Sequence, residues 1–228
     1  MFKRICFFSL IVCLSFNVKA QSISEILLHF PEKEMDVPMD IREKMVEFNG
    51  NTKGDYDNYK LVIYDKRARF IRIVTPLEVI YEVSVWKLES DTLLVALCET
   101  RCGISCGSKI KFYRVHSTAD LASARYVWEP APAENYLPEF QLEDIFNASR
   151  LEKNYYTPQN IVKDFQVKVQ LQLPHSGHDI MVIYTCLDEL EKSEYQRIFK
   201  YLDGTMLDLV WNKKTHKFTK SAPYFLNN

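Results

Sequence analysis

Beyond its first twenty residues the chain contains no apolar run near the ~20 residues that a helix needs to span a bilayer, so nothing later than the start reads as a membrane segment. It also lacks an excess of one charge. Lysine and arginine number 29 against 30 aspartates and glutamates, a formal net charge of -1, and that balance argues against nucleic acid as a partner. Absent as well are a Gly-rich phosphate loop, a G-x-S-x-G elbow and an H-E-x-x-H helix, so no motif calls for a nucleotide or other cofactor and no residue is assigned as catalytic. What the chain does have is apolar substance. Hydrophobic residues make up 47% and aromatics 13%, enough to build a folded core.

The start is organised differently from the rest. Met1 to Arg4 form a short basic head, Ile5 to Phe16 are almost wholly apolar, and Val18-Lys19-Ala20 places small residues where a signal peptidase reads. Residues 1–20 are therefore expected to be a secretory leader, and the mature chain to be exported to the periplasm or the extracellular space. Leu10 to Cys13 faintly resemble a lipoprotein signal, but Val12 is bulky for the position before a modified cysteine. Cleavage would remove Lys3, Arg4 and Lys19, shifting the balance to about −4. It would also remove Cys6 and Cys13 and leave four cysteines for an oxidising compartment.

Three of those four lie in the stretch around which the chain is organised, Asp91 to Val115. Leu93–Leu97 is a continuous apolar run of strand length, as expected of a strand buried on both faces near the centre of a sheet. A loop carrying Cys98, Cys102, Gly103, Cys106 and Gly107 follows, and Lys109 to Tyr113 alternate as a returning strand. The C-x3-C-x3-C spacing suits a thiolate metal site poorly. A disulfide between Cys102 and Cys106 suits it better, with Gly103 and Gly107 letting the backbone turn. Cys98 and Cys186 are left as a second bridge or as two buried thiols.

In chain order, Ser22 and Glu25 form a capping box for a short helix stopped by Pro31, and a second helix runs from Asp36 to Asn49-Gly50. Strands are expected at Lys60–Tyr64, Arg69–Val74, Val79–Leu88, the central hairpin and Arg125–Trp128. Glu129 to Pro138 carry three prolines and read as a linker. Beyond it come helices near Leu142 to Phe146 and Thr157 to Phe165, strands at Val167–Leu173 and Asp179–Cys186, a helix from Glu189 to Leu202, and a closing hairpin, Thr205–Trp211 with His216–Thr219. Short connections permit only antiparallel neighbours. The expected fold is thus α+β, a mostly antiparallel meander with helices packed on one face of the sheet. The units are residues 1–20 as leader, 21–128, a linker at 129–138, and 139–228, the two large parts being either similar halves or a chance recurrence of helix followed by strand.

The leader, Ile26-Leu27-Leu28-His29-Phe30-Pro31, the strand pair Leu93–Cys98 and Ser108–Tyr113, and the ending Leu209-Val210-Trp211 followed by Phe218 together resemble small secreted bacterial proteins grouped as a domain of unknown function. The resemblance spans most of the mature chain and implies no catalytic residue.

One segment carries candidate chemistry. His175-Ser176-Gly177-His178-Asp179 puts two imidazoles and a carboxylate within five residues, types that zinc prefers, although Pro174 and Gly177 make the segment a turn in which the rings need not converge. Asp188, Glu189, Glu191 and Glu194 lack the spacing of a calcium loop and read as a solvated helix start. Two functions are compatible with this inventory. The first is a non-enzymatic module binding a protein, peptide or cell-envelope ligand through a sheet face or edge; the second is a metal-dependent hydrolase using His175, His178 and Asp179.

Overall fold

The computed structural model describes residues 22–47, 54–89, 92–117, 126–153 and 166–226. The expected leader at 1–20, the Asn49-Gly50 helix stop and the helix expected over Thr157 to Phe165 lie outside the described residues. Among the described residues the named strands form two antiparallel sheets. The larger is a meander in strict chain order: β1 (Gly54–Tyr56), β2 (Tyr59–Asp65), β3 (Phe70–Val74), β4 (Ile80–Lys87), β5 (Thr92–Cys102), β6 (Cys106–Ser117) and β7 (Tyr126–Ala131). The smaller has the order β11, β10, β9, β8, from strands β8 (Gln170–Gln172), β9 (Ile180–Ile183), β10 (Met206–Asn212) and β11 (Lys217–Lys220). Four α-helices are described: α1 (Ile23–His29), α2 (Met39–Glu47), α3 (Ala148–Lys153) and α4 (Lys192–Phe199).

The continuous apolar run does what its composition requires. Every residue from Thr92 to Cys98 of β5 is buried, and alternate side chains serve two separate cores. Leu93, Val95 and Leu97 join α1 and α2 residues such as Ile26, Leu27, Ile41 and Met45. Leu94, Ala96 and Cys98 join Leu171, Val182, Leu209, Trp211 and Phe218 of the smaller sheet. A strand with an apolar layer on each side has no use for alternating polarity. β5 is paired along both edges, to β4 and to β6.

Local chemistry sets the ends of the elements. The capping box at Ser22 and Glu25 is formed, and Arg42 closes the other end of α1. This arginine is fully buried, donating from Nη1 to Phe30 O at 2.6 Å and Leu27 O at 3.2 Å, and from Nε to Val37 O at 2.9 Å. It satisfies carbonyls that a helix end leaves without intrahelical donors. Burial pushes its pKa down, with the Glu32 charge acting the other way. Between β1 and β2 the turn is two residues long, and both Asp57 (φ 52°) and Asn58 (φ 71°) are left-handed, as a hairpin matched to strand twist requires.

The two sheets are joined by polar as well as apolar contacts. Glu82 of β4 is buried, pairs with Arg72 of β3, and accepts a hydrogen bond from Leu173 N at 2.8 Å, next to the end of β8. Burial pushes its carboxyl pKa up, and the Leu173 amide and Arg72 only partly offset this. Trp86 of β4 lies among Phe112, Trp211 and Phe218, with the Phe218 ring 5.4 Å away and edge-on.

Several element limits differ from expectation for identifiable reasons. The strand expected over Val167–Leu173 is regular only at Gln170–Gln172, because Val169 O accepts from Ser108 N of the large sheet and Lys168 O from Cys186 N. Its companion stops at Ile183, and Thr185–Glu189 coil into a 3-10 turn. The helix expected from Glu189 is α4, which starts at Lys192. Near Leu142 the chain forms a 3-10 turn, Leu142–Asp144, ahead of α3. β7 continues through Pro130 to Ala131, opposite Phe112, as an edge strand can because its outer side needs no donor. Ala131 and Tyr136, within the Pro-rich segment 129–138, are buried in the core shared by the two sheets. Gly204 admits a close approach: a Cβ there would meet Tyr224 N at 2.2 Å.

Candidate binding cleft at the hairpin tip

Among the described residues the β5–β6 hairpin is the longest pairing, in register from Thr92 opposite His116 to Cys102 opposite Cys106. At its far end Arg101 to Ile104 are exposed and Ser105 is buried. Cys102 and Cys106 form a disulfide, so these two cysteines close the tip as their spacing suggests. The second pairing considered, Cys98 with Cys186, is not formed: both are free and buried. Cys98 Sγ instead points at Leu171 O, 3.6 Å away, and burial pushes its pKa up to about 12; burial likewise raises that of Cys186. These are core thiols and poor nucleophiles.

The two limbs of the tip are held differently. On the returning side Ser105 is buried and its hydroxyl donates to Glu189 Oε1, while Cys106 O accepts from the Thr185 hydroxyl. Lys168 Nζ reaches the same Glu189 oxygen at 3.0 Å. The Ser105 hydrogen bond, followed by that of Lys168, holds the Glu189 carboxyl below its ordinary range. Gly107 makes room for Lys168, since a Cβ there would lie 3.2 Å from Lys168 Cε. On the outgoing side Arg101 to Ile104 are exposed, and Ile104 is 90% accessible.

Between the tip and the irregular segment Val167 to Val169 runs an open cleft of about 490 Å³. Its walls combine apolar Ile104 and Val167 with Glu99, Arg101, Lys109 and Lys168. Glu99 pairs with Arg101 at 2.6 Å and raises the pKa of the arginine. A smaller hollow of about 360 Å³ lies farther along β6, where Lys111 pairs with Glu34 at 2.6 Å beside Pro130 and Pro132.

The pentapeptide 175–179 is spent on holding the chain in place. His175 Nε2 faces Asp65 Oδ2 at 3.1 Å. His178 contributes its backbone carbonyl, which accepts from Trp86 Nε1 at 2.9 Å, and Asp179 Oδ1 accepts from Trp211 N at 2.8 Å. The three side chains do not converge, and among the described residues no three His, Cys, Asp or Glu side chains are grouped to hold a metal ion. His175, His178 and Asp179, expected from sequence as metal ligands, are thus bonded to three different strands from a turn in which Gly177 has φ 82°. Glu189, read in sequence as part of a solvated helix start, is the anchor of the tip. Nothing local could have revealed that, because Ser105 lies 84 positions away. Ile104, an apolar residue isolated in a polar Cys-Gly-x-Ser-Cys turn, was the available signal.

A family model described as protein of unknown function (DUF3256) matches residues 15–216. No curated protein matches the chain. Among solved structures, a domain of an uncharacterized protein from Porphyromonas gingivalis W83 superposes with a TM-score of 0.64 at 16% sequence identity, over 87% of this chain and 97% of that one. At that identity the likeness speaks for the fold alone.

Proposed function

Since the chain belongs to the family of proteins of unknown function DUF3256, and that membership assigns no activity, we propose from its own surface that it is an exported, non-enzymatic module that binds a protein or peptide segment in the cleft beside the Cys102–Cys106 tip. The observation that carries this reading is Ile104, 90% accessible on a turn that is covalently closed and anchored to the body of the protein. A large apolar side chain held rigidly in solvent is an anchor in search of a pocket, because its presentation has already cost the conformational freedom that binding would otherwise remove. The cleft beside it is open along its length and carries charges of both signs. Small-molecule sites enclose most of their ligand and are lined mainly by apolar groups, whereas this arrangement suits a chain laid across it. Export is supported by the leader pattern of residues 1–20 and by a disulfide, which persists in oxidising compartments. Among the described residues no helix is long and apolar enough to cross a membrane.

The test is a peptide array probed with the protein from residue 21 onward and with Ile104→Asp. Peptides that bind through the cleft should lose at least about tenfold in affinity with the variant, the scale of one hot-spot contact. Equal binding of both proteins to every peptide would remove the cleft from consideration.

A further inference from the structure

We propose that the Cys102–Cys106 disulfide is a redox lock on this cleft: an external dithiol of the thiol–disulfide exchange class opens it, the outgoing limb of the tip loosens, and the cleft loses its outer wall. The inference rests on the binding reading above, whereas the movement itself follows from how the tip is attached. The returning limb is fastened to the small-sheet side of the molecule at three points, through Ser105 to Glu189, Cys106 O to Thr185, and Ser108 N to Val169 O at 2.9 Å. The limb carrying Cys102, Gly103 and Ile104 is exposed; Cys102, opposite Cys106, is the last residue of the ladder, and beyond it Gly103 N donates to Ser105 O at 3.1 Å. The bridge thus closes the last pair of the ladder, between an exposed limb and a fastened one.

Register is not what the bridge supplies. The hairpin below it is already aligned from Thr92 opposite His116 to Arg101 opposite Gly107, and a cross-link between residues only four apart removes little freedom from the unfolded chain. What it controls is local. It also holds the only cysteines among the described residues that are not buried, since Cys98 and Cys186 are buried thiols. Exposed disulfides are the ones that exchange.

The chemistry balances with the dithiol as reductant. One of its thiolates attacks the sulfur of exposed Cys102, forming a mixed disulfide and expelling Cys106 as thiolate. The second thiol then attacks the reagent's sulfur in that mixed disulfide and releases Cys102. The dithiol leaves as its own disulfide, two electrons poorer, and its two protons end on Cys102 and Cys106.

The experiment treats the protein with dithiothreitol under native conditions and reads alkylation by peptide mapping and amide hydrogen exchange by mass spectrometry. Cys102 and Cys106 should become alkylated while Cys98 and Cys186 stay unlabelled. Exchange at Gly103 should accelerate by about tenfold or more, while Ser108, bonded to Val169 O, should change by less than about twofold. Cys102→Ser combined with Cys106→Ser should reproduce the reduced pattern, which guards against an effect of the reagent itself. Resistance of the bridge to native reduction, or unchanged exchange at Gly103 once it is reduced, would overturn the lock. Peptides from the array separate the two ideas. Binding lost on reduction supports both, binding equal in the two redox states overturns the lock and leaves the cleft, and an exchange response without any peptide binding leaves the movement and removes the binding reading.

Discussion

The turn at 175–179 and the tip at 102–106 are both short, both polar in composition and both contain glycine, yet they are wired in opposite directions. In the first, His175, the His178 carbonyl and Asp179 each find a partner on a different strand, through Asp65, Trp86 and Trp211, so polar capacity is consumed in fastening the loop down. In the second, the fastening is done by Ser105, the Cys106 carbonyl and the disulfide, and Ile104 is left presented to solvent. Proximity in sequence therefore misleads about chemistry in a turn. Here His175 and Asp179 reach different strands, and a group of metal-preferring residues becomes a site only where the backbone aims them at one point.

The strongest way to break the comparison is to cut the fastening of the first turn. Trp86 is 1% accessible, donates to His178 O, and packs on Phe218 and Trp211. Trp86→Ala should destabilise by about 3–5 kcal/mol, the range for losing a large buried aromatic. Urea denaturation followed by circular dichroism measures it, and a loss under about 1 kcal/mol would mean that the turn and the aromatic core are independent of each other.

A smaller effect is expected from Asp65, the carboxylate that faces His175. Backbone hydrogen bonds from Ala68, then from Arg67, together with that from His175, outweigh its burial and hold its pKa below the ordinary 3.8. A carboxyl lowered in the folded state binds fewer protons there than in the unfolded chain. Its contribution is therefore complete above about pH 4, the unfolded value, and is lost as pH falls through the folded one. Asp65→Asn should accordingly leave a shallower acid limb below about pH 4 in a stability–pH profile, by less than about 1 kcal/mol for so accessible a group. An acid limb of unchanged slope would show that the Asp65 carboxylate, with its partners Ala68, Arg67 and His175, adds nothing measurable to the stability of the fold.

The smallest effect belongs to the tip. Ile104→Ser should change stability by no more than about 0.5 kcal/mol, because its side chain touches little that folding buries. Thermal unfolding of the two proteins side by side is sufficient. A loss of a kilocalorie or more would place Ile104 among the residues that hold the protein together and end its role as a presented anchor.

Much of the large sheet was legible residue by residue. Leu93 to Leu97 announced a strand with a core on both sides because an unbroken apolar run has no solvent face to offer. Ser22 and Glu25 announced the start of α1 because a capping box is satisfied within four residues. Cys102 and Cys106 announced their own pairing for the same reason of nearness. These are local matters, and sequence settles local matters. Only the tertiary structure decided that the smaller sheet lies over Leu94, Ala96 and Cys98, that Cys98 and Cys186 remain apart in the core, and that Glu189 anchors Ser105. It alone decided that His175, His178 and Asp179 serve three different strands. Each of those outcomes depends on contacts between positions tens of residues apart, and the free energy that selects them comes from burying the two sheets against one another, a quantity that no window of neighbouring residues contains.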